Sequence, residues 1–179
     1  MSSIKTLNEA DEFYLKKDYL NAYPIYLVYA QEGNFYAIRI LWKMILYGYG
    51  VEKNIDIAYI WCKKASDMND AEAQYFYANY CFEKKSYQEG KIYLDKAYNQ
   101  NYLEAIRYMA SNYFFGDFGY VKDVEKALNL YSEACIKGDS SACKDLYFIN
   151  KNLVGSISSA NYIREKIGFL KYLKNVTSK

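Results

Sequence analysis

Four times along the chain, a small residue is followed fifteen positions later by an alanine. Successive small residues lie 36, 32 and 37 positions apart. A period of this length is typical of arrays in which each unit buries its apolar face only by stacking on its neighbours. The spacing therefore predicts a repeat protein. The four pairs are Ala22 with Ala37, Ala58 with Ala73, Gly90 with Ala105, and Ala127 with Ala142.

Charge and chain length exclude several other classes. The 179 residues carry a formal net charge of +2, and lysines are mixed evenly with carboxylates. No broad basic field is present, so neither nucleic acid nor a membrane surface is indicated as a partner. The N-terminus has no apolar run, and no segment approaches a membrane-spanning length, so we expect a cytoplasmic protein without a secretory leader.

Histidine is absent, whereas tyrosine occurs 23 times. Without histidine there is no imidazole base, no His-oriented nucleophile and no His-containing zinc site. Many common enzyme mechanisms are thereby removed, and no cofactor is indicated.

The unit that begins near residue 34 is predicted to be a pair of helices. Ala37, Leu41 and Ile45 form an apolar stripe that predicts a first helix, helix A, over about residues 34–47. After a glycine turn, a second stripe predicts helix B, ending near Met68. Alanines on both stripes allow the two helices to approach closely.

The junctions between units carry helix-ending signals. Gly33, Asn69, Asn101 and Gly138 stand four residues before the alanines of successive A helices, and both residue types tolerate the left-handed conformation that ends a helix. Three of the next residues can cap the following helix, while Tyr102 breaks the pattern. The capping residues are Asn34, Asp70 and Asp139. Pro24 fits a first helical turn if Asn21 is the cap of its helix.

The units alternate between two kinds of connection. Residues 14–22 match residues 82–90 position by position and predict a tight lysine-rich turn. The other two units carry glycine loops, at residues 48–51 and 116–121. These loops follow helices and lack the Lys-Ser/Thr of a phosphate loop, so we interpret them as turns.

At these residues the chain resembles the Sel1-like repeat family, which is related to the tetratricopeptide repeats. The similar stretches are Ala37-x3-Leu41-x6-Gly48-x-Gly50-Val51, Ala58-x2-Trp61-x2-Lys64-Ala65, and Ala105-x3-Met109-Ala110-x2-Tyr113-x2-Gly116. The resemblance covers about residues 5–150 and implies an all-α fold. It implies a right-handed αα-solenoid of about four helix pairs, with the A helices lining a concave protein-binding groove.

We expect a single domain with a capped C-terminal end. Tyr162, Ile163, Ile167, Leu170 and Leu173 form an apolar stripe beside lysines and an arginine, which predicts a capping helix. Binding of this basic amphipathic segment to a membrane surface is the alternative. The expected units are residues 5–33, 34–69, 70–101 and 102–138, a half repeat at 139–150, and a loop and capping helix at 151–179.

Helix geometry selects the residues that would line the groove. Aromatic and arginine side chains along one face are typical of protein-binding surfaces. The basic members suggest an acidic partner segment, although single aromatics can instead fill space between units. Replacing Arg39, Tyr75 and Arg107 with alanine should abolish binding and leave the melting temperature nearly unchanged. The candidate residues are Tyr36, Arg39, Lys43, Tyr47, Tyr75, Asn79, Phe82, Arg107, Ser111, Phe114 and Lys144.

The cysteines allow two interpretations. Cys135 and Cys143 have the Cys-x7-Cys spacing that resembles the disulfide of the cysteine-rich, secreted branch of the family. For a protein in a reducing cytosol, we favour the interpretation that both cysteines are buried free thiols. Cys62 and Cys81 lie on core stripes and read as packing residues.

These observations favour a non-enzymatic binding protein. We expect it to hold one partner protein in its groove and neutralise it, as an immunity protein to a bacterial toxin or secreted effector does. One alternative is a scaffold or regulatory adaptor that binds several partners. A remote alternative is a hydrolytic enzyme with a cysteine nucleophile, although no base accompanies any thiol.

Overall fold

The computed structural model describes residues 6–153, which form an all-α solenoid. Consecutive helices pack against one another along the chain, and α6 and α7 contact each other least. The predicted capping helix lies outside the described residues. In the described part the helices are α1 (Leu7–Leu15), α2 (Tyr19–Gln31), α3 (Phe35–Tyr47), α4 (Ile55–Asp67), α5 (Ala71–Glu83), α6 (Tyr87–Asn99), α7 (Leu103–Phe115), α8 (Val124–Ile136) and α9 (Ser140–Leu153).

The small residues at the fifteen-residue interval lie at the contacts between helices. The seven alanines among them are buried to 99 % or more, and Gly90 is also buried. Leu41 and Trp42 are buried beside them, and the Trp42 ring contacts Phe76 of the next unit. Small residues at these positions allow the helices to approach, while the large neighbours fill the remaining volume.

The junction signals are confirmed. Gly33, Asn69, Asn101 and Gly138 all have positive φ angles, between 60° and 106°. The side chains of Asn34 and Asp70 accept hydrogen bonds from the amides of Ala37 and Ala73. Asp139 accepts bonds from the amides of Ser141 and Ala142. Tyr102 makes no side-chain cap, as its residue type requires.

The two kinds of connection have repeated backbone conformations. Lys17 and Lys85, at matching positions of the lysine-rich turns, have φ angles of 60° and 62°. Gly48 and Gly116 end α3 and α7 in the left-handed conformation. The first glycine loop lies against the start of α2, where a Cβ on Gly50 would be 2.0 Å from the Tyr19 carbonyl oxygen.

Two helix ends differ from the sequence prediction. Asp18, rather than Asn21, is the N-cap of α2, so Pro24 lies inside the helix beyond its first turn. Its missing amide removes the hydrogen bond to the Leu20 carbonyl oxygen. The last described helix was expected to reach about Asn150, but it continues to Leu153.

Candidate protein-binding face

The predicted groove residues lie on one helix of each pair, on α3, α5, α7 and α9. We call the surface formed by these helices and α1 the A-helix face. Tyr36 and Tyr47 are exposed on it. The Tyr36 hydroxyl donates a 2.9 Å hydrogen bond to Asp11 of α1, and the Tyr47 ring lies 5.7 Å from that of Tyr49. Each side chain is therefore about half exposed and also makes an internal contact.

Arg39 and Arg107 are tied to neighbouring units. The Arg39 Nε lies 2.5 Å from Asp70 Oδ2, and the Arg107 Nε lies 3.1 Å from Asp139 Oδ2. Both aspartates also cap the helix that they precede, so each carboxylate holds its own helix and the preceding unit together. The Asp70 side chain is only 6 % exposed, whereas Arg39 is 42 % exposed.

The junction between units 70–101 and 102–138 lies between the two ion-paired junctions. It has an aromatic contact in place of an Arg–Asp pair. Tyr75 occupies the position equivalent to the two arginines, and Tyr102 occupies the position equivalent to the two aspartates. Their ring centroids are 5.6 Å apart, and Tyr75 also contacts Tyr108 at 5.8 Å. Burial raises the pKa of Tyr108 to about 12 and also raises the pKa of Tyr102, so neither of these phenols ionises at neutral pH.

The pairing corrects two expectations. Lys43 also forms an ion pair, 2.5 Å from Glu72, so three of the four basic candidates already have acidic partners. The basic residues therefore do not by themselves favour an acidic partner segment. Because Arg39, Tyr75 and Arg107 hold units together, replacing them with alanine should also lower the melting temperature.

Phe82 was wrongly expected to be available to a partner. Its side chain is 2 % exposed and its ring stacks on that of Phe118, 4.9 Å away. Phe118 lies in the second glycine loop, which folds onto the neighbouring short unit. A loop contact from the following unit thus buries a position that helix geometry alone places on the surface.

The remaining candidates divide between internal contacts and open surface. The Asn79 amide donates a 3.1 Å hydrogen bond to the Tyr75 carbonyl oxygen. Ser111 lies beside Tyr131 of α8, and Phe114 makes an edge contact with Phe115 at 4.9 Å. Lys144 is exposed on α9.

A pocket of about 410 Å³ opens where α7, α8 and α9 meet. It brings together Arg107, Ser111 and Phe114 from the candidate set. Its other walls are mainly apolar or aromatic, with one carboxylate. These additional lining residues are Tyr108, Phe115, Tyr131, Asp145, Phe148 and Ile149.

Sequence reasoning missed Asp145 as a lining residue, although a signal was present. Asp145 lies three positions after the alanine of its helix. The equivalent residues of the earlier units are Ile40, Phe76 and Tyr108, which all pack against the core. A carboxylate in a position otherwise used for packing marks this end of the array as different.

The cysteines correct the expectation of four free thiols. Cys135 of α8 and Cys143 of α9 form a disulfide, with their Cα atoms 4.8 Å apart. The turn at Gly138 brings the two helix ends together. Cys62 and Cys81 are buried and free, and burial raises the pKa of both thiols, that of Cys81 to about 11. Protonated thiols are poor nucleophiles at neutral pH.

No helix in residues 6–153 combines the length and apolar character needed to cross a bilayer. The same residues contain no group of three or more carboxylate or cysteine side chains placed to hold a metal ion.

Helix pairs stack along the chain, and the capping residues Asp70 and Asp139 also bind the preceding unit. With the aromatic side chains exposed on the A-helix face, these features define a repeat solenoid of the protein-interaction class. The Sel1 repeat family model matches residues 36–70, 71–102 and 103–139, more than half of the chain, and the chain therefore belongs to this family. Such repeats generally serve as non-catalytic scaffolds for protein interactions.

Two solved structures are similar to this chain. One is c5321, a protective antigen present in uropathogenic Escherichia coli strains, with 19 % identity and a TM-score of 0.73 over 85 % of this chain and 34 % of that chain. The other is a Sel1 repeat protein from Oxalobacter formigenes, with 27 % identity and a TM-score of 0.68 over 81 % of this chain and 61 % of that chain. The chain thus spans about a third and about three-fifths of their lengths. Comparison with curated proteins gave no match.

Proposed function

We propose that this chain binds one partner protein across the A-helix face and neutralises it, as an immunity protein does with a toxin or secreted effector. The observation that supports the proposal is the combination of exposed aromatic rings with units held together by ion pairs and ring contacts. A rigid surface loses little conformational entropy on binding, so its exposed tyrosines can contribute most of their contact energy to affinity.

Tyr36 and Tyr47 are the side chains best placed for this role. Both are exposed and neither belongs to the Arg–Asp pairs, although Tyr36 also contacts Asp11 and Tyr26 of the first unit. With Arg39, Lys43 and Arg107 neutralised by internal partners, we expect recognition of an apolar, hydrogen-bonding surface rather than of a strongly acidic one.

Affinity capture with the full chain from an extract of its native host, followed by purification of the captured protein, provides the test. The pair should form a one-to-one complex, and the partner's own activity should be lost on binding. The double variant Y36S/Y47S should weaken binding by about tenfold or more, because central aromatic residues dominate such interfaces.

The matched control is I60S/I92S, which removes two exposed apolar side chains from α4 and α6. It should bind with unchanged affinity. A partner that stays fully active when bound, or equal losses of affinity in the two double variants, would reject the proposal.

A scaffold that binds several partners is the second candidate. The exposure of Ile60 and Ile92, at equivalent positions of α4 and α6, favours it because these side chains are available to a second protein. Simultaneous binding of two different proteins, one lost in Y36S/Y47S and the other in I60S/I92S, would identify this role.

The disulfide bears on where the protein acts. We expected the cytoplasm, but disulfides persist mainly in oxidising compartments. The Cys135–Cys143 bond therefore favours a compartment outside the reducing cytosol. Trapping free thiols with an alkylating reagent in intact host cells tests this point, because a cytosolic protein would be alkylated at both cysteines.

A further inference from the structure

The composition of α2 differs from that of every other helix in residues 6–153. Among those helices, α2 alone carries no charged side chain. Apolar residues lie around its whole circumference, a pattern that ordinarily belongs to a helix buried on all sides. One side of α2 is nevertheless open to solvent, because Leu20 is 78 % exposed and Val28 is 46 % exposed.

This open side is apolar at positions where the other B helices are polar. Leu20, Pro24 and Val28 follow one another at four-residue spacing and are all exposed, and we call them the α2 stripe. A terminal unit of a soluble repeat array ordinarily presents a polar surface, so the stripe indicates a site that another molecule covers. The counterparts in α4, α6 and α8 are Asp56, Gln88 and Glu125 for Leu20, and Lys64, Lys96 and Glu133 for Val28.

Charges at the two ends of α2 indicate which molecule fits the stripe. Lys17 precedes the helix and Glu32 is its C-cap, and both side chains are exposed. Within the described part of the chain, neither forms an ion pair. Of the nearby charges, Asp18 is engaged as the N-cap and Lys16 pairs with Glu12. The stripe therefore lies between a free positive charge and a free negative charge.

A second copy of the same chain matches this pattern. In a two-fold symmetric dimer, the same surface of each subunit packs on itself. Leu20 and Val28 each lie four positions from Pro24, whereas Lys17 and Glu32 lie seven and eight positions from it. Antiparallel packing about Pro24 thus sets apolar residues against apolar residues and opposite charges against each other. Parallel packing would instead set like charges together.

We propose that the chain forms a symmetric dimer in which the α2 stripes of two copies pack antiparallel, with Lys17 of each copy paired to Glu32 of the other. A helix face about 18 Å long makes a small interface, so the dimer Kd should be about 10–100 μM. The stripe includes no residue of the A-helix face, so each subunit keeps that face for a partner. The inference does not depend on the function proposed above.

Sedimentation of the full chain at concentrations up to about 500 μM tests the association. The variant L20E/V28E should raise the dimer Kd at least about a hundredfold, because each new glutamate meets a glutamate of the other copy. The matched control I60E/I92E adds two glutamates at exposed positions of α4 and α6 and should leave the Kd unchanged.

Charge reversal tests the antiparallel arrangement. K17E and E32K should each raise the Kd by about tenfold, because each sets like charges opposite each other at both ends of the dimer. The double variant K17E/E32K should restore it. Within one chain these residues lie about 22 Å apart along the helix, beyond the screening length of about 10 Å at 0.1 M salt. Restoration must therefore come from contact between copies.

A cross-link locates the two-fold axis. P24C should be joined into dimers by a short bismaleimide, because Pro24 of one copy faces Pro24 of the other. Two controls should remain uncross-linked, the parent protein and I92C, which alters the equivalent position of α6. K85E is the control for K17E, since Lys85 holds the matching place in the other lysine-rich turn, and it should leave the Kd unchanged.

Three results would overturn the proposal. The first is a parent protein that stays monomeric at every concentration, including one that binds lipid vesicles through the stripe, because the occupant would then be a membrane. The second is an equal Kd in L20E/V28E and I60E/I92E. The third is a K17E/E32K protein no better associated than either single variant. Circular dichroism reports whether each variant is folded, and the charge-reversal series decides the matter if L20E/V28E is not.

Discussion

Gly90 is a position where a close contact between helices requires the smallest side chain. It lies inside α6, where glycine is ordinarily unfavourable, but a Cβ there would lie 2.4 Å from the Phe82 ring. Phe82 cannot move aside easily because it is buried and stacked on Phe118. The repeat pattern predicts a small residue at this position, but only the packing explains why it is smaller than alanine.

We expect G90A to lower the free energy of unfolding. Overpacking costs about 1–3 kcal/mol, against a gain of about 1 kcal/mol in helix propensity. Urea unfolding followed by circular dichroism measures the difference. The double variant F82L/G90A should recover part of the loss, whereas a G90A protein as stable as the parent would contradict the packing argument.

At the scale of elements, the junctions between units were the most predictable part of the structure. The left-handed residues Asn69 and Asn101 depend on interactions within a few positions of the chain, which the sequence displays directly. The Arg39–Asp70 pair and the burial of Phe82 depend on how separate units meet. Residue spacing within one helix does not determine those contacts, so the helices that carry the candidates could be predicted while the contacts of several candidates could not.

The bond between α8 and α9 should make the last helix dependent on redox conditions. Closing a loop of this length stabilises a fold by about 2–3 kcal/mol in the chain-entropy treatment. We expect C135S/C143S to speed hydrogen exchange in α9 while α3 to α5 exchange as before. Adding a reductant should reproduce this effect in the unaltered protein and have no further effect on the variant. Unchanged exchange in α9 would show that packing alone holds it.

At the scale of the whole molecule, stability rests on the contacts that couple one unit to the next. In repeat arrays these contacts determine whether the units unfold together. Breaking the Arg–Asp pairs leaves aspartates that are mostly buried, most severely at Asp70.

We therefore expect R39M/R107M to unfold at a lower temperature and over a broader range than the parent. After allowance for the partial exposure of both arginines, each loss should be about 1–3 kcal/mol. Calorimetry measures the midpoint and the width of the transition. As a control, R39M/D70N retains an N-cap and removes the unpaired charge, so it should be more stable than R39M alone. Equal stability of these two proteins would contradict the argument.

The alternation of Arg–Asp and Tyr–Tyr contacts also limits how the array can be lengthened. If residues 102–138 were duplicated in tandem, Arg107 of the first copy would meet the uncharged Tyr102 of the second. Duplicating residues 70–138 would instead place Arg107 against Asp70 and preserve every pairing. The shortest insertion that keeps these pairings is thus two units long. The inserted copy must begin with the unit that carries Asp70, so that it follows a unit that carries an arginine.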